Sequence, residues 1–189
     1  MRYFILVWVF QTTFIIGEDS PLRNFYNSLN KNRIIKMEID FSQNQFGNTY
    51  SSMGSLVIIK DKKYVYDSFP IKIIVEDSLI TTINNETLQL VYSSIDKNHL
   101  SILDILSGSF NNIQFLDKKS SHIDHFKIVE LGYDGIFQFD ENTGLLNIIK
   151  LEIDKDQSLM VEVKSFDYID HYDISDINEK NFEVIDLRD

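Results

Sequence analysis

The side chains able to do chemistry in this chain are four histidines and 29 Asp+Glu; there is no cysteine. His122 and His125 stand in Ser121-His122-Ile123-Asp124-His125. On a strand, residues three apart face opposite sides, which spoils a chelating pair, so a solvated turn is the expectation there. His171 lies in Asp170-His171-Tyr172-Asp173, where a single imidazole between acids reads as a surface residue rather than a base. His99 reads as a cap-region residue before a short helix. Asp154-Lys155-Asp156-Gln157 lacks the twelve-residue ligand pattern and terminal Glu of a calcium loop and reads as a hairpin turn. Ser107-Gly108-Ser109 lacks the strand–loop–helix setting of a phosphate cradle, and no nucleophile elbow, H-E-x-x-H helix, P-loop or dinucleotide fingerprint occurs. Without Cys there is no disulfide framework, thiolate zinc site, iron–sulfur cluster or cysteine nucleophile. The expectation is a protein that is not an enzyme, with no metal and no cofactor.

Composition narrows the class further. Lys+Arg number 18 against 29 Asp+Glu, a formal charge of −11. An acidic chain with no Lys/Arg cluster is a poor nucleic-acid binder, because phosphate neutralisation dominates that affinity. Hydrophobic residues make up 43% and aromatics 13%, too rich for disorder. Alanine is absent, while Ile, Val, Phe, Tyr and Thr are abundant, which leans the chain toward strands. Met1 to Gly17 reads as a secretory signal: Arg2, an unbroken apolar run from Tyr3 to Phe10, then small Gly17 before Glu18-Asp19. The apolar run is short for a spanning helix, which needs about 20 such residues. The expectation is therefore an exported chain with one domain over residues 18–189.

The elements follow from periodicity. Ser20-Pro21 is a helix start, with Leu22, Phe25, Tyr26 and Leu29 on one face. From Ile35 the period becomes two: Ile35, Met37, Ile39 and Phe41 alternate with Lys36, Glu38, Asp40 and Ser42. Strands are expected over 50–60, 64–66, 71–75, 79–83 and 88–92, separated by turn residues such as Asp61-Lys62, Phe69-Pro70 and Asn84-Asn85. A short helix ends at Gly108. Strands return over 125–131, 136–140, 145–153 and 158–166, with Gly132-Tyr133-Asp134-Gly135 as one of the turns, and a last strand near 182–185. About ten antiparallel strands with one dry face need a cover, and a curled sheet lidded by a helix supplies one.

In its order of weak motifs the chain resembles the periplasmic outer-membrane lipoprotein carrier (LolA) family. The features are Asp40-Phe41-Ser42-Gln43 ending a strand, Gly54-Ser55-Leu56-Val57-Ile58, Tyr64-Val65-Tyr66-Asp67 with Pro70 behind it, and Gln89-Leu90-Val91-Tyr92. Leu-rich Ile102 to Gly108, Asp156-Gln157-Ser158 before a strand, and Phe182 complete the series. The resemblance implies a mainly β fold with short helices, an antiparallel half-open β-barrel with a helical lid. It implies a monomeric periplasmic carrier whose apolar cavity holds the acyl chains of lipoproteins. Cargo would come from an inner-membrane ABC exporter and pass to an outer-membrane acceptor lipoprotein, and the absence of Cys would separate this chain from a lipidated acceptor. The acyl-chain lining implied is Ile35, Met37, Ile39, Phe41, Leu56, Ile58, Tyr64, Tyr66 and Tyr92, closed by Leu103 and Leu106 of the lid. Lys60 stands where the family has an Arg that latches the lid; it keeps the charge and loses the planar fork of donors. The alternatives are a lipid-sensing regulatory module on the same half-barrel and an envelope enzyme with converging carboxylates.

Overall fold

The computed structural model describes residues 20–29, 33–60, 63–95, 100–110, 112–116, 120–174 and 177–188. The signal-like segment and His99 lie outside them. Helix α1 spans Pro21–Leu29. It starts as its sequence dictates: the Ser20 hydroxyl accepts a hydrogen bond from the Arg23 amide at 3.1 Å, and Pro21 occupies the first turn, where its missing N–H costs nothing. Leu22, Phe25 and Ser28 form its buried face.

Strands β1 (Ile34–Gln45), β2 (Asn48–Lys60), β3 (Lys63–Ser68), β4 (Ile71–Glu76), β5 (Leu79–Asn84) and β6 (Gln89–Ser94) form a meander of neighbours. Helix α2 (Ile102–Leu106) interrupts it. Then come β7 (Ile113–Phe115), β8 (Ile123–Ile128), β9 (Tyr133–Phe139), β10 (Leu146–Asp154) and β11 (Gln157–Ile169). A single turn of 3₁₀ helix, Glu179–Asn181, precedes β12 (Glu183–Leu187). All lie in one sheet of order β12-β6-β5-β4-β3-β2-β1-β11-β10-β9-β8-β7. The two meanders are joined through β1, which pairs with β2 on one side and β11 on the other. The sheet is curled and stays open, since β12 and β7 are its two ends.

Three details depart from the sequence expectations. Tyr133, Asp134 and Gly135 belong to β9, and the turn lies three positions earlier, over residues 129–132, closed by the Gly132 amide donating to the Ile128 carbonyl at 2.9 Å. Gly135 sits in the strand because a Cβ there would lie 2.2 Å from the Phe126 ring, which covers the bare backbone. Strand β7 carries only three residues, too few for alternation to reveal. Finally, β12 pairs with β6 in parallel, so the sheet is antiparallel in every pair but that one.

Period-two alternation divides the apolar residues between the two faces. On the inner face Ile35, Met37, Ile39, Leu56, Ile58, Tyr64, Tyr66, Phe126, Phe137, Phe139, Ile149 and Val161 join Leu22 and Phe25 of α1 and the apolar residues of α2 in one core. On the outer face Val65, Ile74, Ile83 and Leu90 are covered by Tyr172, Ile174, Ile177 and Phe182 from the segment that leads into β12.

Candidate functional site

The inner face is the candidate site, and α2 is its cover. Ile102, Leu103, Ile105 and Leu106 are all buried against the sheet. A helix of this length does not hold itself in water, because nucleation costs more than one turn of hydrogen bonds returns. Two other contributions hold it. The first is a capping box: the Ser101 hydroxyl accepts from the Asp104 amide at 3.0 Å, and the Asp104 Oδ2 accepts from the Ser101 amide at 2.8 Å and from its hydroxyl at 2.7 Å. The second comes from the sheet: the Tyr64 hydroxyl on β3 donates to the other carboxylate oxygen, Asp104 Oδ1, at 2.7 Å. One carboxylate thus closes the helix start and ties the helix to the strand beneath it. Burial, and then the Asp104 carboxylate, raise the Tyr64 phenol above its ordinary value, so it stays a donor at every physiological pH.

The expected latch residue sits elsewhere. Lys60 is exposed at the end of β2. Among the described residues, the side-chain hydrogen bond from the sheet to α2 comes from Tyr64. A sequence signal existed for it: an acid three residues after a helix-capping Ser marks a carboxylate held in place, though nothing local names its partner 40 residues away.

Ile35, Met37, Ile39, Leu56, Ile58, Tyr64 and Tyr66 share the inner face with Leu103 and Leu106, and Phe41 packs partly buried on the same core. Tyr92 does not join them. It follows Leu90 at a spacing of two on β6 and therefore shares the outer face, where its hydroxyl donates to Glu179 at 2.6 Å and the Arg188 guanidinium stacks 4.9 Å from its ring centroid. Aromatic residues that the sequence did not single out, Phe110, Phe115, Phe126, Phe137 and Phe139, fill the inner face beside α1, with Phe126 and Phe137 ring centroids 5.1 Å apart.

The inner face reaches solvent beside α1. A pocket of about 440 Å³ is lined by Phe25 and Ser28 of α1, Leu145 and Leu146 at the start of β10, and Phe166 and Tyr168 near the end of β11. Its volume falls in the range of small-molecule sites, roughly 300–1,000 Å³. The Arg33 guanidinium lies 5.5 Å from the Tyr168 ring centroid and puts a positive charge near this rim of an acidic molecule. Apolar Phe25, Leu146 and Phe166 beside polar Asn24, Asn27 and Thr143, with an amphipathic aromatic and a cation at the rim, suit a ligand that has both a hydrocarbon part and a polar or anionic end. Of the histidines, His171 pairs with Asp173 at 2.9 Å on the surface, and His122 precedes β8 while His125 lies within it. Among the described residues, no group of three or more His, Asp or Glu side chains converges in a manner that would hold a metal ion.

In its fold the chain is similar, at low identity, to several solved structures. One is a DUF1329 family protein from Desulfovibrio piger, 10% identical, covering 79% of this chain and 94% of that one at a TM-score of 0.48. A second is a domain assigned to outer membrane lipoprotein sorting from Vibrio parahaemolyticus, at 6% identity, 85% and 95% coverage and 0.49. A third is a LolA superfamily protein from Nitrosomonas europaea, at 6% identity, 85% and 96% coverage and 0.42. No family model matches the chain, and no curated protein does. Likenesses this distant leave the chemistry of the site to be read from the geometry of the chain itself.

Proposed function

We propose that this chain is a carrier for acyl chains in the cell envelope, holding the lipid part of acylated lipoproteins on the inner face of its sheet during transit through the periplasm, with an exporter in the inner membrane and an acceptor in the outer membrane as partners. The observation that carries this reading is the nature of the cover. An apolar sheet face is closed by two short helices, one of which is held by side-chain packing and a single phenol–carboxylate contact.

The magnitudes favour exchange. Burying a large aliphatic side chain contributes about 1.5–3 kcal/mol, so the four apolar residues of α2 contribute on the order of 8 kcal/mol. Burying an acyl chain contributes about 0.8 kcal/mol per methylene, so about ten methylenes offer the inner face as much as α2 does. A hydrocarbon tail entering beside α1 can therefore take the place of α2, and α2 can return when the tail leaves. A second, paired layer of sheet would bury far more surface and would not yield. The residues that do this work bind and exclude water; none of them is assigned a catalytic role.

The test is binding. The purified chain, titrated with a fluorescent long-chain fatty acid, should enhance its emission, and unlabelled palmitate should displace it. Protein recovered from the periplasm should carry acylated material detectable by mass spectrometry. A chain that neither binds the probe nor carries acyl material would remove the proposal.

A further inference from the structure

Arg33 stands at the head of the inner-face row of β1. It lies two positions before Ile35, so it continues the alternation of Ile35, Met37 and Ile39 just outside the strand, which begins at Ile34. Across the sheet Ile35 pairs with Tyr168 and Met37 with Phe166, so these two aromatics share that face, their ring centroids 5.6 Å apart. Both line the pocket beside α1. The Arg33 guanidinium lies 5.5 Å from the Tyr168 ring centroid, which sets a planar fork of donors over a ring of the pocket wall.

The charge of Arg33 has no counterpart among the described residues. On the outer face the strand cations are matched: Lys36 to Glu38, Lys127 to Asp134, Lys150 to Glu152 and Lys164 to Glu162, at 2.6–3.1 Å. No carboxylate of the described residues stands within ion-pair distance of Arg33, in a chain where Asp and Glu outnumber Lys and Arg by 29 to 18. Exposure alone lets a cation go unpaired, since water solvates it. What sets Arg33 apart is its place, over a tyrosine on the apolar face and at the mouth of a pocket lined by Phe25, Leu146 and Phe166.

We infer that Arg33 reads the head group of the cargo, and that this head group is acidic: a carboxylate or a phosphate at the end of a hydrocarbon tail. The inference rests on the carrier reading of the inner face and narrows it. The tail lies against Phe25, Leu146 and Phe166. The acid stays at the rim, where it accepts two parallel N–H bonds from the guanidinium beside the neutral amides of Asn24 and Asn27. Tyr168 positions the fork by stacking under it. A neutral ester with the same tail gains the burial and not the ion pair. The net charge of −11 repels anions from the molecule as a whole, so selectivity for an acid has to come from a local cation.

Displacement of a bound neutral probe, a pyrene-labelled long-chain alcohol, tests this with ligands of one tail length: palmitate, hexadecyl phosphate and methyl palmitate. With the parent chain at least one of the two acids should bind about fivefold more tightly than methyl palmitate, the upper end for an ion pair at an exposed site. The stronger acid names the head group. In Arg33→Gln that advantage should vanish while methyl palmitate binds as before, at the parent melting temperature, since Arg33 is exposed. Equal binding of acids and ester by the parent chain would overturn the inference and leave the carrier reading standing, and this comparison needs no variant. An advantage that survives Arg33→Gln would overturn it as well. A parent chain that binds none of the three would remove the carrier reading, and this inference with it.

Discussion

Tyr64 is the residue on which the cover depends. Its hydroxyl is the donor that ties Asp104, and hence α2, to β3. Tyr64→Phe leaves one carboxylate oxygen short of a partner at a partly buried site, which should lower unfolding stability by about 1 kcal/mol in a denaturant titration. The pH dependence has a definite sign. The folded-state phenol is raised above the unfolded value of 10.0, so its contribution is complete below about pH 10 and is lost as pH climbs beyond it. Stability should therefore fall on the alkaline side, and Tyr64→Phe should flatten that part of the profile. A profile unchanged by the substitution would show that the contact contributes nothing. Gly135 gives a second prediction at this scale. A methyl group there would meet the Phe126 ring, so Gly135→Ala should cost about 1–3 kcal/mol, read as a lower melting temperature.

At the scale of elements, α2 and β1 behave differently under substitution. Strand β1 is held by twofold pairing, to β2 and β11, along its length. Helix α2 is held by four side chains, its capping box and one hydrogen bond. Leu103→Glu places a charge on the buried face of α2 and should release the helix while the strands persist. Far-UV circular dichroism should then keep its strand signal, and retention of a bound fluorescent fatty acid should drop by tenfold or more, the equivalent of about 1.4 kcal/mol. Unchanged retention would mean that α2 is no part of the cover. Helix α1 contributes differently, since it borders the pocket: Phe25 is buried beneath it and Leu145 and Leu146 face it.

For the whole molecule, the question is how an open sheet of twelve strands avoids exposing an apolar face. The inner face is covered by α1, α2 and an aromatic cluster, and the outer face of the β3–β6 half by the segment leading into β12. The two covers differ in kind. The outer one is continued by β12, whose pairing with β6 anchors it along a strand. The inner one ends in short helices. A ligand should therefore displace the inner cover and leave the outer one in place. Hydrogen exchange with and without palmitate checks this: faster exchange in α2 and unchanged exchange in β6 and β12 is the expected outcome, while faster exchange in β12 would reverse the assignment.

The sequence by itself determined most of the elements, though not the three-residue β7 or the place of the turn before β9. Alternation at Ile35, Met37, Ile39 and Phe41 fixed β1 and its inner face, Ser20-Pro21 fixed the start of α1, and Asn84-Asn85 placed a turn, because each of these is a local preference of backbone and side chain. It also determined that Leu103 and Leu106 lie on a short helix. It did not show which faces meet. Tyr92 carries the same alternation signal as Tyr64 and Tyr66, yet it lies on the outer face, because β6 presents Leu90 and Tyr92 to the segment that leads into β12. Nor could it show that Tyr64 rather than Lys60 ties α2 to the sheet. That pairing joins residues 40 positions apart, and such a contact is set by how the strands stack and curl, which no local periodicity encodes.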